Sequence, residues 1–147
     1  MADIEELEKL DKLKTKVLKY IMFKKRTERE IRRKFATVED QDLLDDVIEN
    51  LKEIGYIDDS KYVLRAINEF MALNNLSIKE IKYKLMSKGV KNDIIEDYIS
   101  ENYDILMEYE IKSAKKIAVK KSNLEKQDLK MYLMKKGYKE ESIREAI

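Results

Sequence analysis

The adjacent carboxylates Asp58-Asp59 hold the most chemical promise among the acidic residues of this chain, because such a pair can hold a hard cation such as magnesium. Neighbouring residues seldom converge on one ion without further ligands, and the sequence places none. Capping of a helix that begins there, with a favourable dipole interaction, is the better reading. No two carboxylates have the spacing that specifies glycosidase or nuclease chemistry. The chain has no histidine and no cysteine, so imidazole bases, thiolate nucleophiles and the usual zinc ligands are all missing. A serine nucleophile would lack its histidine base, and nothing supports a lysine in that role. The three glycines are isolated, which leaves no glycine-rich loop to cradle phosphates. No catalytic residue, metal ligand or cofactor site is assigned.

What remains is cationic chemistry. Lys24, Lys25, Arg26, Arg29, Arg32, Arg33 and Lys34 form one dense cluster; on a helix Arg29 and Arg33 share a face while Ile31 and Phe35 take the opposite one. Lys115, Lys116, Lys120 and Lys121 form a second, followed by Lys130, Lys135 and Lys136. Such clusters suit nucleic-acid phosphates or an acidic protein groove, and they equally suit a solvated helix face. Tyrosines interleave with lysines, as in Lys82-Tyr83-Lys84, which is the composition of a platform for stacking single-stranded bases. Tyr62, Tyr98 and Tyr132 stand at core-facing spacing; Tyr20 and Tyr83 are the two expected at the surface.

These side chains must be carried by helices. The 147 residues include no proline, and 44% are hydrophobic and 41% charged, so a real core is possible and little interrupts a helix once begun. Apolar stripes at spacings of three and four predict helices over about 4–25, 42–54, 59–73, 92–102 and 104–121. Met107, Ile111, Ala114, Ile117 and Ala118 form the inner stripe of the last of these. Thr27 with Glu30, and Ser77 with Glu80, are capping boxes that open two further helices. Gly55, Gly89 and Gly137 each stop a helix, and the apolar residue that follows (Tyr56, Val90 or Tyr138) is expected to fold back on the last turn.

An internal period ties these elements together. Leu85-Met86-Ser87-Lys88-Gly89-Val90 returns as Leu133-Met134-Lys135-Lys136-Gly137-Tyr138, with Ile81, Ile95 and Ile99 matched by Leu129, Ile143 and Ile147. The fold class expected is all-α, as three tandem three-helix repeats in an elongated, curved array. Its divisions are 1–57 (an N-terminal helix extension and the first repeat), 58–102 and 103–147. The third copy starts near Glu125 without a Ser or Thr cap, and the first has Ala36-Thr37-Val38-Glu39-Asp40-Gln41 in place of a Lys-Gly end.

The net charge of +1 hides alternating blocks: −4 over residues 3–11, +9 over 12–34, −8 over 39–59, +5 over 61–91, −7 over 92–110, +8 over 112–139 and −2 over 140–147. Such blocks either give the fold a basic and an acidic face or bring helices of opposite sign together. No apolar stretch approaches the roughly 20 residues that span a bilayer, and the first residues lack the regions of a signal peptide, so a soluble cytoplasmic protein is expected.

From about residue 14 onward the chain resembles the RecX family of bacterial recombination regulators. The resemblance rests on Leu51-Lys52-Glu53-Ile54-Gly55-Tyr56-Ile57-Asp58-Asp59 followed by Tyr62, on Ile81 through Gly89, on Ala114-Lys115-Lys116 and on Leu133 through Tyr138. Gly-Tyr-Ile-Asp-Asp is its most specific element. The turn Asn74-Asn75-Leu76 departs from it, since the family usually carries a basic residue and a glycine there. The resemblance implies a monomeric, non-enzymatic protein that binds the RecA filament on single-stranded DNA and mainly inhibits its ATPase, strand-exchange and DNA-damage-response activities. Its implied contacts are Lys24, Lys25, Arg26, Arg29, Arg32, Arg33, Arg65, Lys82, Lys88, Lys115, Lys116, Lys120, Lys121, Lys130, Lys135 and Lys136. The competing readings are a helical nucleic-acid-binding module acting alone through phosphate contacts, and a structural scaffold with no filament partner.

Overall fold

A computed structural model describes the chain from Asp3 to Ile147. The described residues form nine α-helices and no strand: α1 (Ile4–Phe23), α2 (Glu28–Lys34), α3 (Gln41–Glu53), α4 (Asp59–Leu73), α5 (Ile78–Ser87), α6 (Asn92–Glu101), α7 (Tyr103–Lys120), α8 (Lys126–Lys136) and α9 (Glu140–Ala146). The all-α class is as the periodicity predicts. The first helix stops two residues earlier than its stripe suggests, which leaves Lys24 and Lys25 on an extended connection.

Helix starts follow the side chains that can accept from orphan N–H groups. Asp3 Oδ1 accepts from Glu6 N at 2.8 Å, and Asp40 Oδ1 from Leu43 N at 3.0 Å. Both capping boxes form: Thr27 Oγ1 accepts from Glu30 N at 3.1 Å while Glu30 Oε1 accepts from Thr27 N at 3.0 Å, and Ser77 and Glu80 repeat this at 3.1 and 3.0 Å. Two departures from the family pattern find local substitutes. Asn74 adopts φ +54°, a left-handed conformation that asparagine tolerates in place of glycine. After α2, Gln41 Nε2 donates to the carbonyls of Phe35, Ala36 and Val38 at 3.3, 3.4 and 2.6 Å, so a side-chain amide takes up the carbonyls that end a helix without a Lys-Gly stop.

The helices gather into two compact units, the chain up to Tyr62 together with Lys88–Val90, and Val63–Ser87 together with Lys91–Ile147. In the first, the α1 stripe Leu13, Val17 and Ile21 packs with Ile31, Leu44, Val47, Ile48, Leu51 and Ile57. In the second, Ala114 and Ile117 pack with Leu129, Leu133, Tyr138 and Ile143. The inner face of α7 is wider than its apolar stripe, since Leu106, Tyr109, Glu110 and Ser113 are buried along with Met107, Ala114 and Ile117.

Two side chains, Tyr56 and Tyr20, sit otherwise than their spacing suggests. Tyr56 is half exposed, and Ile57, one residue on, takes the buried place. Val90 and Tyr138 do fold inward after their glycines. Tyr20 is half-buried, edge-on to Phe35 with ring centroids 5.9 Å apart, whereas Tyr83 is exposed as expected.

Candidate functional site

The residues that could do chemistry fall into three groups: carboxylates that tie helix starts, cations already neutralised within the fold, and cations left free. Asp58 and Asp59 belong to the first. Asp58 Oδ1 accepts from Ser60 N and Lys61 N at 3.0 and 3.2 Å, capping α4, while Asp59 Oδ1 accepts from Glu28 N at 3.0 Å, at the positive end of α2. The two carboxylates are thus divided between two helices. Among the described residues no group of three or more acidic, histidine or cysteine side chains could hold a metal ion.

Burial pushes the Asp59 carboxyl above its ordinary value of 3.8; the Glu28 N–H bond opposes this and the nearby Glu28 carboxylate reinforces it. Burial also acts to raise Glu28, but hydrogen bonds and charge from Lys52 and Arg32 win and hold it below 4.5. The two groups therefore act in opposite directions. Asp59 binds its proton more tightly in the fold than in the unfolded chain, so its contribution to stability falls as pH rises from about 3.8 through its raised folded value. Glu28 contributes stability that is present above 4.5 and is lost as pH falls through its lowered value. Asp59→Asn keeps an acceptor for Glu28 N and removes the first effect. Urea midpoints between pH 3 and 7 should show this variant gaining on the parent as pH rises through the Asp59 window, then running parallel. A variant that loses ground to the parent as pH rises would contradict this balance.

Thr27 and Ser77 do more than cap. The Thr27 hydroxyl, fully buried, donates to the Lys88 carbonyl at 2.6 Å, within the first unit. The Ser77 hydroxyl, also fully buried, donates to the Lys136 carbonyl at 2.8 Å, within the second. Each carbonyl precedes a glycine of positive φ, +92° at Gly89 and +95° at Gly137, and the stem of a cation two residues beyond the hydroxyl, Arg29 or Lys79, lies against that glycine. In both places a carboxylate from elsewhere binds the first N–H of the capped helix: Asp59 takes Glu28 N, and Glu110 Oε2 takes Ile78 N at 2.8 Å. Capping hydroxyl, Lys-Gly turn, draped cation and carboxylate make up one lock, used once in each unit.

Glu110 is the anchor of the second lock and is fully buried. Beyond Ile78 N, its Oε1 accepts from Lys139 N at 2.9 Å and Ser142 Oγ at 2.8 Å, so one carboxylate meets the N-termini of both α5 and α9. Beside it, Tyr109 OH accepts from Leu76 N at 3.3 Å and donates to Leu76 O at 2.7 Å, and Ser113 Oγ and Tyr138 OH stand 2.6 Å apart. Burial pushes both phenols above their ordinary value, which keeps them protonated in the fold.

Of the sixteen cations expected to contact a partner, several are engaged internally, four of them in ion pairs. Arg32 Nε binds Glu28 at 3.1 Å and its Nη1 binds Asp45 at 2.5 Å. Arg65 pairs with Glu69 at 3.3 Å, Lys82 with Glu96, and Lys136 with Glu80 at 3.4 Å. Arg26 lies 4.2 Å over the Tyr20 ring, Lys121 lies 4.6 Å over Tyr132, and Lys116 donates to Leu73 O at 3.2 Å. Lys24, Lys25, Arg29, Arg33 and Lys88 in the first unit, and Lys115, Lys120, Lys130 and Lys135 in the second, are exposed and carry no ion pair among the described residues. The Thr27 lock brings Lys88 to the start of α2, beside Arg29, although some sixty residues separate them. Phe23, 86% exposed and adjacent to Lys24, is an aromatic surface residue at the end of α1 that the sequence does not single out.

No protein-family model matches the chain. It is similar to several proteins named "Regulatory protein RecX". That of Finegoldia magna is 33% identical over 133 residues, which cover 82% of this chain and 63% of that protein, so the chain spans less than two thirds of its length. That of Clostridium acetobutylicum is 30% identical over 158 residues, covering 100% and 72%, and that of Clostridium perfringens is 34% identical over 149 residues, covering 92% and 68%. The crystal structure of RecX from Lactobacillus salivarius shares the fold, with a TM-score of 0.79 and 23% identity over 94% of both chains. A second, described as the crystal structure of regulatory protein RecX, superposes with a TM-score of 0.81 at 20% identity, covering 97% of this chain and 73% of that one. With helices, stops and basic clusters in the order the resemblance requires, and with relatives matched across most of the sequence, the chain belongs to the RecX family.

Proposed function

We propose that this chain is a non-enzymatic, cytoplasmic, monomeric regulator that binds the RecA filament on single-stranded DNA and mainly inhibits its ATPase, strand exchange and downstream damage response. Its kinship with proteins named "Regulatory protein RecX" carries the reading. The free cations in both units support it, because they provide contacts for an anionic nucleoprotein surface without any catalytic group. We also propose that the chain is organised as three tandem repeats, 1–57, 58–102 and 103–147. Two locks with capping residues 50 positions apart and glycines 48 apart favour that division.

The direct test is to titrate the protein into the cognate RecA hydrolysing ATP on single-stranded DNA. Inhibition at amounts well below those needed to coat the DNA is the expected result. Loss of ATPase only when bare DNA is saturated would favour a nucleic-acid module acting alone, a reading to which exposed Phe23 beside Lys24 and Lys25 lends a specific basis. No effect at any ratio would leave the scaffold reading.

A further inference from the structure

We infer that the two locks are one device for presenting a cation to a nucleic-acid strand, and that Arg29 and Lys79 are its equivalent contact residues. Lys79 is absent from the basic clusters that the sequence picks out; it stands 50 residues after Arg29, as Ser77 does after Thr27, and its stem takes the same place on a glycine turn. Each stands two residues after a buried capping hydroxyl, each has its stem laid on the glycine of a Lys-Gly turn, and each is exposed without an ion pair among the described residues. A methyl group on Gly89 would stand 2.5 Å from Arg29 Cβ, and one on Gly137 would stand 3.0 Å from Lys79 Cβ and Cδ, so the absence of a side chain there is what lets the stems lie flat.

This arrangement has a consequence for binding. Ordering a free lysine or arginine costs up to about 2 kcal/mol of rotamer entropy. A stem already packed against a turn has lost much of that freedom on folding, so less is lost when the head group meets an anion. Single-stranded nucleic acid fits the residues one helical turn further on. Arg33 follows Arg29 and is exposed, giving two guanidinium groups on one face for phosphate; Tyr83 follows Lys79 and is 63% exposed, placing a ring for base stacking beside an ammonium for phosphate. The inference rests on the reading above that the chain meets single-stranded DNA.

The test uses the full chain with Arg29→Met, Lys79→Met and the double variant, which keep an apolar stem on the glycine and remove the charge. Binding to a labelled oligo-dT strand is measured against salt concentration. Each single substitution should reduce the slope of log affinity against log salt by about 0.7, and the double by about 1.4, because each removes one phosphate contact. Thermal midpoints should hold, and Arg29→Lys should restore the slope. Arg32→Met and Lys82→Met, whose charges are already paired, should leave the slope unchanged.

A wild-type protein that does not bind the strand, or an unchanged slope in both single variants, overturns the inference. An unchanged slope accompanied by lost RecA inhibition also overturns it and assigns the two cations to acidic groups on a protein. In every case the wild-type RecA titration reads the regulatory proposal separately.

Discussion

Replacing Glu110 with alanine should lower the stability of the second unit by at least about 2 kcal/mol, because it leaves two buried donors and one part-buried donor without an acceptor, at about 1–3 kcal/mol for each buried one. Those donors are Ile78 N, Lys139 N and the Ser142 hydroxyl, and the first two lie at the starts of α5 and α9, where a negative group also interacts favourably with the helix dipoles. Against the 5–15 kcal/mol that a domain usually has, this is a large share. Glu110→Gln should cost roughly half as much, since one amide oxygen can still accept while the NH2 group faces a donor. Urea unfolding followed by circular dichroism gives the stability, and hydrogen exchange at Ile78 and Lys139 locates the loss. An Ala variant within about 1 kcal/mol of the parent would mean that water replaces the carboxylate without penalty and that Glu110 does not anchor the unit.

Gly89→Ala should be the most damaging of the three possible glycine-to-alanine changes, at about 2–4 kcal/mol. A left-handed conformation costs an L-residue about 1–2 kcal/mol. The new methyl would also crowd Arg29 Cβ at 2.5 Å, and a Cβ cannot swing aside as the end of a side chain can, which adds a displacement of order 1–2 kcal/mol typical of overpacking. Truncating Arg29 to alanine in the same chain should recover only part of the loss, because that Cβ remains. Gly137→Ala meets Lys79 at 3.0 Å and should cost less, and Gly55→Ala meets nothing within 4 Å and should show the conformational cost alone. Urea midpoints check the ranking; a Gly55 variant as damaged as the Gly89 variant would show that the stem contact adds nothing.

The locks also account for the unequal copies of the repeat. The cap of α2 receives the glycine turn that follows α5, and the cap of α5 receives the one that follows α8. Two caps and two glycines are consumed, so α2 has no need of a glycine end and α8 has no need of a hydroxyl start. Glu125, at the start of α8, indeed makes no side-chain cap. The sequence displays both halves of each lock, the capping boxes and the Lys-Gly ends, but as separate punctuation. Their pairing spans 61 and 59 residues, and a contact of that separation leaves no periodic trace.

Element positions were legible for a simple reason: with no proline and few glycines, helix ends depend on caps and stops that local chemistry defines. Glu110 was legible in principle. It lies three residues after Met107 and four before Ala114, on the inner stripe of α7, and a carboxylate at such a position must find donors. Counted as part of an acidic block, it looked like surface. The cations divide similarly. The pairs Glu28–Arg32 and Arg65–Glu69 are four apart and readable from spacing, whereas Asp45 reaches Arg32 and Glu96 reaches Lys82 only through the fold.

That sorting of cations is where the structure bears on function, and a single comparison tests it: half-inhibitory concentrations against RecA ATPase for a chain with Lys24, Lys25 and Arg33 changed to Gln, and for one with Arg32, Arg65 and Lys82 changed to Gln. The first set is free and exposed, so its loss should raise the half-inhibitory concentration by at least about threefold, since three charge contacts at about 0.2–1 kcal/mol each total about 0.6 kcal/mol or more. The second set is already paired, and its loss should change inhibition less than twofold at equal folded fraction. Equal losses from the two sets, or a larger loss from the paired one, would contradict the claim that the cations left free by the fold carry the interaction.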